Sequence, residues 1–181
     1  KATPITKQMI YFSETFRSGI EFGATYVLFN DLKTALQKNK KKDIEKAISS
    51  LKEAYADVHN KDYDHEVDRK VAKVLIPLYA ESVPADALPA FYQTIQTKYK
   101  GNYDAYIDAL YDNSIFSNDK NFNAFINNPT VKAIENDLAV QYSSSKNELS
   151  KKLNEKYDAV SGNIDLLHKT YVRGLCEMYA P

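Results

Sequence analysis

The chain has 181 residues, enough for one domain with a real core, and its 44% hydrophobic and 27% charged content is that of an ordinary folded protein. Lysine plus arginine and aspartate plus glutamate both number 24, so the net charge is zero. That excludes nucleic acid or an anionic membrane as a partner recruited by a basic surplus. No apolar run approaches the roughly 18 residues needed for a membrane-spanning helix.

Thr3 and Pro4 open the first helix, Thr3 as N-cap and Pro4 at the first helical position. Met9, Phe12, Phe16, Ile20, Gly23 and Val27 follow at spacings of three and four, and Leu28, Leu32 and Leu36 continue a neighbouring row. Apolar residues on most sides predict a long first helix at the centre of its bundle. Gly19 and Gly23 form a G-x-x-x-G pair, read as a place of close packing between helices. KNKKK, residues 38–42, is a solvated connection, and Asp43 is expected to cap a second helix. That helix carries Ile44, Ala47, Ile48, Leu51, Ala54, Tyr55 and Val58 on one face.

Asp64 caps a third helix, with Val67, Val71, Val74, Leu75 and Leu78 as its apolar stripe and Pro77 as a kink. In LYAESVPADALPAFY, residues 78–92, Pro84 and Pro89 fit the starts of short helical pieces. Gly101 stops the second of them behind Lys98 and Lys100. Asn102 caps a helix with Tyr103, Tyr106, Ile107, Leu110 and Tyr111 on its apolar side. Ser117 is expected to cap a short helix holding Phe122, Phe125 and Ile126, and Asn128 with Pro129 to start another. Asp137 restarts the chain into the last helix. There the stripe is Leu149, Leu153, Tyr157, Val160, Ile164, Leu167, Tyr171, Leu175 and Met178. A helix of about 40 residues would be roughly 60 Å long. No alternating strand pattern competes, so the expected fold is all-α, a helical bundle whose long first and last helices frame several shorter ones. Residues 1–181 read as a single helical domain.

The residues offer little chemistry. Ser161-Gly162 sits within the last helix, with no turn to expose an activated serine. His168 and Cys176 on that helix are about 12 Å apart along its axis, too far for proton transfer. Cys176 is the single cysteine and is expected to be a small buried hydrophobe. The densest polar cluster is HNKDYDHEVDR, residues 59–69, with His59, Asp62, Asp64, His65, Glu66 and Asp68. It matches neither the H-E-x-x-H zinc spacing nor a calcium loop, and acidic residues in a first turn favour the helix dipole. No metal, no cofactor and no catalytic residue is therefore assigned. Tyr63, Tyr92 and Tyr103 are candidates for an interface.

LYAESVPADALPAFYQTI carries a resemblance. It is similar to the helical domain of the bacterial dipeptidyl-peptidases seven and eleven, secreted serine exopeptidases of Bacteroidetes. YFSETFRSGIEF (11–22), YKGNYDAYIDALYDNSIFSNDKNFNAFINNPTVKAIENDLAV (99–140) and GLCEMYAP (174–181) extend it in the family's order. Leu138 stands where that family often has proline, and Cys176 where methionine is common. The resemblance implies a helical insert in a chymotrypsin-like double β-barrel, capping its active-site cleft. It places the catalytic histidine and aspartate upstream and the serine downstream of the insert. The family's glycine-asparagine-serine-glycine motif does not occur in these 181 residues. By this resemblance the partners are the catalytic β-barrel of the same polypeptide and a peptide substrate, and the location is periplasmic or at the cell surface. The alternative is a free-standing helical module that binds another protein through a tyrosine-rich face.

Overall fold

The computed structural model describes residues 4–60 and 63–178, and every regular element among them is helical, as expected of the all-α class. The long helical run at the N-terminus is divided. Helix α1 (Pro4–Ser13) passes into a π-helical turn (Glu14–Gly19), Ile20 is extended, and a 3-10 turn (Ala24–Leu28) leads into α2 (Phe29–Gln37). The glycines explain the break. A Cβ at Gly19 would collide with the Leu75 side chain and with the Glu14 carbonyl, and Gly23 sits at φ +88 against the Tyr142 ring. Both glycines therefore permit close approach, and Gly23 also supplies a left-handed backbone that a side chain would strain. Thr3 lies outside the described residues.

A turn with Asn39 at φ 49 connects to α3 (Lys41–Asn60), so Asp43 falls in its first turn and does not cap it. Ala47, Leu51 and Tyr55 are buried, as the stripe required. Asp64 does cap α4 (His65–Ser82), accepting from the backbone N–H groups of Glu66 and Val67. Here the buried face differs from the expected one. Asp68, Ala72, Ile76 and Tyr79 point inward, while Val67, Val74 and Leu78 are exposed. A buried carboxylate sets this rotation, because Asp68 collects hydrogen bonds that only the interior provides. Ion pairs fix the flank, Arg69 to Asp112 and Asp108 and Lys73 to Asp108, all crossing to α6 (Tyr103–Asn113).

The three prolines turn a stiff corner. Helix α4 runs through Pro77 and ends at Ser82. Pro84 precedes the 3-10 turn Ala85–Ala87, and Pro89 precedes α5 (Phe91–Lys98). Tyrosine hydroxyls clamp the corner, Tyr79 donating to the Ala87 carbonyl at 3.0 Å and Tyr92 to the Ile76 carbonyl at 2.6 Å. Tyr92 is thus core and not an interface residue. Lys100 and Gly101 then take positive φ, and Asn102 caps α6 through the Ala105 N–H. Beyond the 3-10 turn Ile115–Ser117, Asn118 caps α7 (Asp119–Asn127) in place of Ser117, and Thr130 caps α8 (Val131–Asn136) in place of Asn128. Both corrections shift a cap by one or two residues toward a side chain whose backbone is already extended.

Asp137 then launches α9 (Leu138–Met178), 41 residues long. Its carboxylate accepts from the N–H groups of Ala139 and Val140 and, across the bundle, of Ile115. The core is one continuous aromatic-rich cluster in which Phe16 lies 4.8 Å from Tyr79 and Phe22 stacks on Tyr111 at 4.4 Å. The N-terminal part of α9 enters it with Tyr142, Leu149 and Leu153.

Candidate functional site

A cleft of about 1250 Å³ opens between the α1–π-turn strand of chain and α9. Phe12, Phe16 and Arg17 form one wall, and Lys146, Asn147 and Ser150 of α9 the other. The non-helical link at Ile20–Gly23, with Tyr63 and His65, also lines the cleft.

The link is held from beneath by Asp68. Its Oδ1 accepts from the Glu21 N–H at 2.9 Å. Its Oδ2 accepts from the Phe22 N–H at 2.9 Å and from the hydroxyls of Tyr63 at 3.0 Å and Tyr111 at 2.7 Å. Four donors satisfy a carboxylate that is almost wholly removed from solvent. Burial, with Asp68 beside them, pushes the phenols of Tyr63 and Tyr111 well up, so both remain donors. His65 packs edge-on against Tyr111 with its Nε2 3.1 Å from the Tyr111 carbonyl.

Lys146 supplies the buried cation of the cleft. Its Nζ lies 3.4 Å from the Phe16 carbonyl and 5.3 Å from the centre of the Tyr142 ring. Burial pushes its pKa down, Asp68 opposes that shift, and Arg17 adds to it. Arg17 donates to the Ser150 hydroxyl at 2.8 Å. The cleft therefore combines aromatic walls with two cations, a surface suited to hold peptide groups or to be filled by a neighbouring polypeptide.

Asp64, His65 and Asp68 of the polar cluster take up capping, aromatic packing and backbone anchoring, and Glu66 stays exposed. Among the described residues no group of three or more His, Cys, Asp or Glu converges to hold a metal. The side chains of His59, Asp62 and His168 lie outside those described. Ser161 is helical, and Cys176 is exposed, contrary to the buried position expected. Its segment lies where α9 has left the bundle, so no neighbour covers it. Tyr63 donates to Asp68, and Tyr103 packs partly buried against the core.

Sequence reading missed Asp68 and Lys146 as organisers, although both leave a signal. Asp68 is in phase with Ala72, Ile76 and Tyr79, and Lys146 with Tyr142, Leu149 and Leu153. A charge at the core-facing phase of a helix marks a buried, partnered group.

A family model for Peptidase S46 matches residues 1–181. The chain is 61% identical over 182 residues to dipeptidyl-peptidase 7 of Phocaeicola vulgatus, covering 100% of this chain and 25% of that protein. It is 31% identical over 160 residues to the Asp/Glu-specific dipeptidyl-peptidase of Porphyromonas gingivalis, covering 88% of this chain and 22% of that one. In fold it matches crystal structures of Porphyromonas endodontalis DPP11. The complex with the dipeptide Arg-Glu superposes with a TM-score of 0.76 at 23% identity, over 98% of this chain and 25% of that one. A structure of the same protein in an alternate conformation gives a TM-score of 0.65. The chain thus spans about a quarter of the length of the relatives it matches. No helix among the described residues is long and apolar enough to cross a membrane.

Proposed function

The chain belongs to the Peptidase S46 family, and from that premise we propose that residues 1–181 are one helical domain inserted in a larger serine-type dipeptidyl-peptidase, where it caps the active-site cleft. The observation that carries this reading is one of proportion. An all-helical chain matches dipeptidyl-peptidases along its whole length while accounting for only a quarter of theirs. The reacting groups then belong to the other three quarters, a chymotrypsin-like β-barrel that is this domain's partner, and the domain itself is non-catalytic. An enzyme that releases dipeptides from N-termini needs a closed end to its cleft. A rigid bundle anchored by Asp68 and Asp137 moves as a unit, and its closure excludes water and longer chains. The whole enzyme acts in the periplasm or at the cell surface.

Two measurements test the reading. The 181-residue chain, incubated with dipeptidyl chromogenic substrates, should release no product. In the full-length polypeptide, deletion of the segment should abolish turnover or let longer products appear. An unchanged rate and dipeptide pattern would remove the cap role and favour an independent interaction module.

A further inference from the structure

The stripe on the last helix has two fates. Leu149 and Leu153 are core, whereas Tyr157, Val160, Tyr171 and Met178 are exposed at 40%, 36%, 65% and 74%. Spacing does not distinguish the two parts, since steps of three and four run unbroken from 149 to 178. What differs is the neighbour. Gly23 lies against Tyr142, the Phe16 carbonyl meets Lys146, and Arg17 meets Ser150. From Gly23 back to Arg17 and Phe16 the partner on α9 moves from Tyr142 forward to Lys146 and Ser150, so the α1 run lies antiparallel to α9. Phe12 and Ser150 line the same cleft, and α1 packs against α9.

We propose that residues 157–178 of α9 form one side of an antiparallel helix pair, whose other helix comes from the polypeptide outside residues 1–181 and lies in line with α1. Three observations select this occupant. Exposed Tyr157, Val160, Tyr171 and Met178 continue the spacing of the buried Leu149 and Leu153 on the helix that packs against α1, so a helix on the line of α1 meets them in register. Alternating steps of three and four make a narrow seam, which suits a helix better than the broad face of a sheet. The relatives are about four times as long as this chain, so polypeptide is available to supply it. This inference rests on the chain being part of a longer protein, as the family reading holds, but not on the cap role.

The test is amide hydrogen exchange across residues 157–178, comparing the full-length polypeptide with the 181-residue chain at two protein concentrations. Exchange should slow by about tenfold or more in the full-length protein, independently of concentration. Tyr171→Lys and Leu175→Lys in the full-length protein should return that segment to the rate of the short chain, whereas Lys169→Glu should not. Equal exchange in the two proteins would overturn the proposal even if the variants failed to fold. Protection that grows with concentration would overturn it in favour of a second copy of the chain. Turnover is not read, so failure here is separable from failure of the cap reading.

Discussion

The two halves of α9 have the same periodicity and opposite surroundings. From Leu138 to Leu153 the helix is wedged between α1, α6 and α8, its apolar side chains buried and its first turn capped by Asp137. Tyr157, Val160, Tyr171 and Met178 of the same stripe face outward. Helical periodicity therefore records which face is apolar, while the neighbouring elements decide whether that face is core. Substitutions along α9 should resolve the two halves as a step in stability.

The largest effect is expected at Leu153. Truncation to alanine removes buried methyl groups and leaves a cavity, at about 2–5 kcal/mol. Chemical denaturation of the 181-residue chain would read this directly, and a loss below about 1 kcal/mol would mean that the buried half ends sooner. Asp137→Ala follows. It uncaps α9 and strands the buried Ile115 N–H, for an expected loss of about 1–3 kcal/mol. Burial raises the Asp137 carboxyl while its three N–H donors oppose the shift, so the cap works against a solvation cost and the effect should fall short of that at Leu153.

Much of this division was legible in advance, and the part that was not has physical causes. The helix start at Asp137, the stop at Gly101 and the buried faces of α3 and α6 follow from caps and spacing alone. The face of α4 was misread because Val67, Val74 and Leu78 outnumber the inward residues in hydrophobicity. The winning rotation depends on Tyr63, Tyr111 and two backbone N–H groups that Asp68 meets only in the folded chain. The division of the first helix hinges on Leu75, Glu14 and Tyr142 crowding Gly19 and Gly23, which no local pattern encodes. The cleft was invisible for the same reason, since Arg17 and Lys146 are 129 positions apart. Exposure of Cys176 was misjudged because its helix outruns the bundle.

Tyr142 sharpens the comparison from inside the buried half. Its ring is wholly buried and its hydroxyl has no hydrogen-bond partner among the described residues. Tyr142→Phe keeps the ring and removes an unsatisfied group, so the chain should gain about 1 kcal/mol or remain unchanged. Burial also holds the phenol well above its ordinary value of 10.0. Below that pH both folded and unfolded chains keep the proton. Above it the unfolded chain loses the proton first, so stability falls as pH rises. Tyr142→Phe should therefore make the alkaline fall shallower by about 1.4 kcal/mol per pH unit. Denaturation midpoints across the alkaline range would check this, and an unchanged slope would place the Tyr142 hydroxyl in contact with water.

The smallest effect belongs to the exposed half. Tyr171→Ser in the 181-residue chain exchanges an aromatic that is 65% exposed for a small polar group. Its expected change is about 0.5 kcal/mol or less, consisting mainly of helix propensity. The contrast with Leu153, eighteen positions earlier on the same stripe, isolates the neighbour as the cause, since residue spacing and helical backbone are common to both. A loss at Tyr171 approaching that at Leu153 would mean that the outer half is packed in the short chain as well, by another copy or by folding back. The step between the two halves would then vanish, and with it the reason to look outside these residues for the helix that covers the seam.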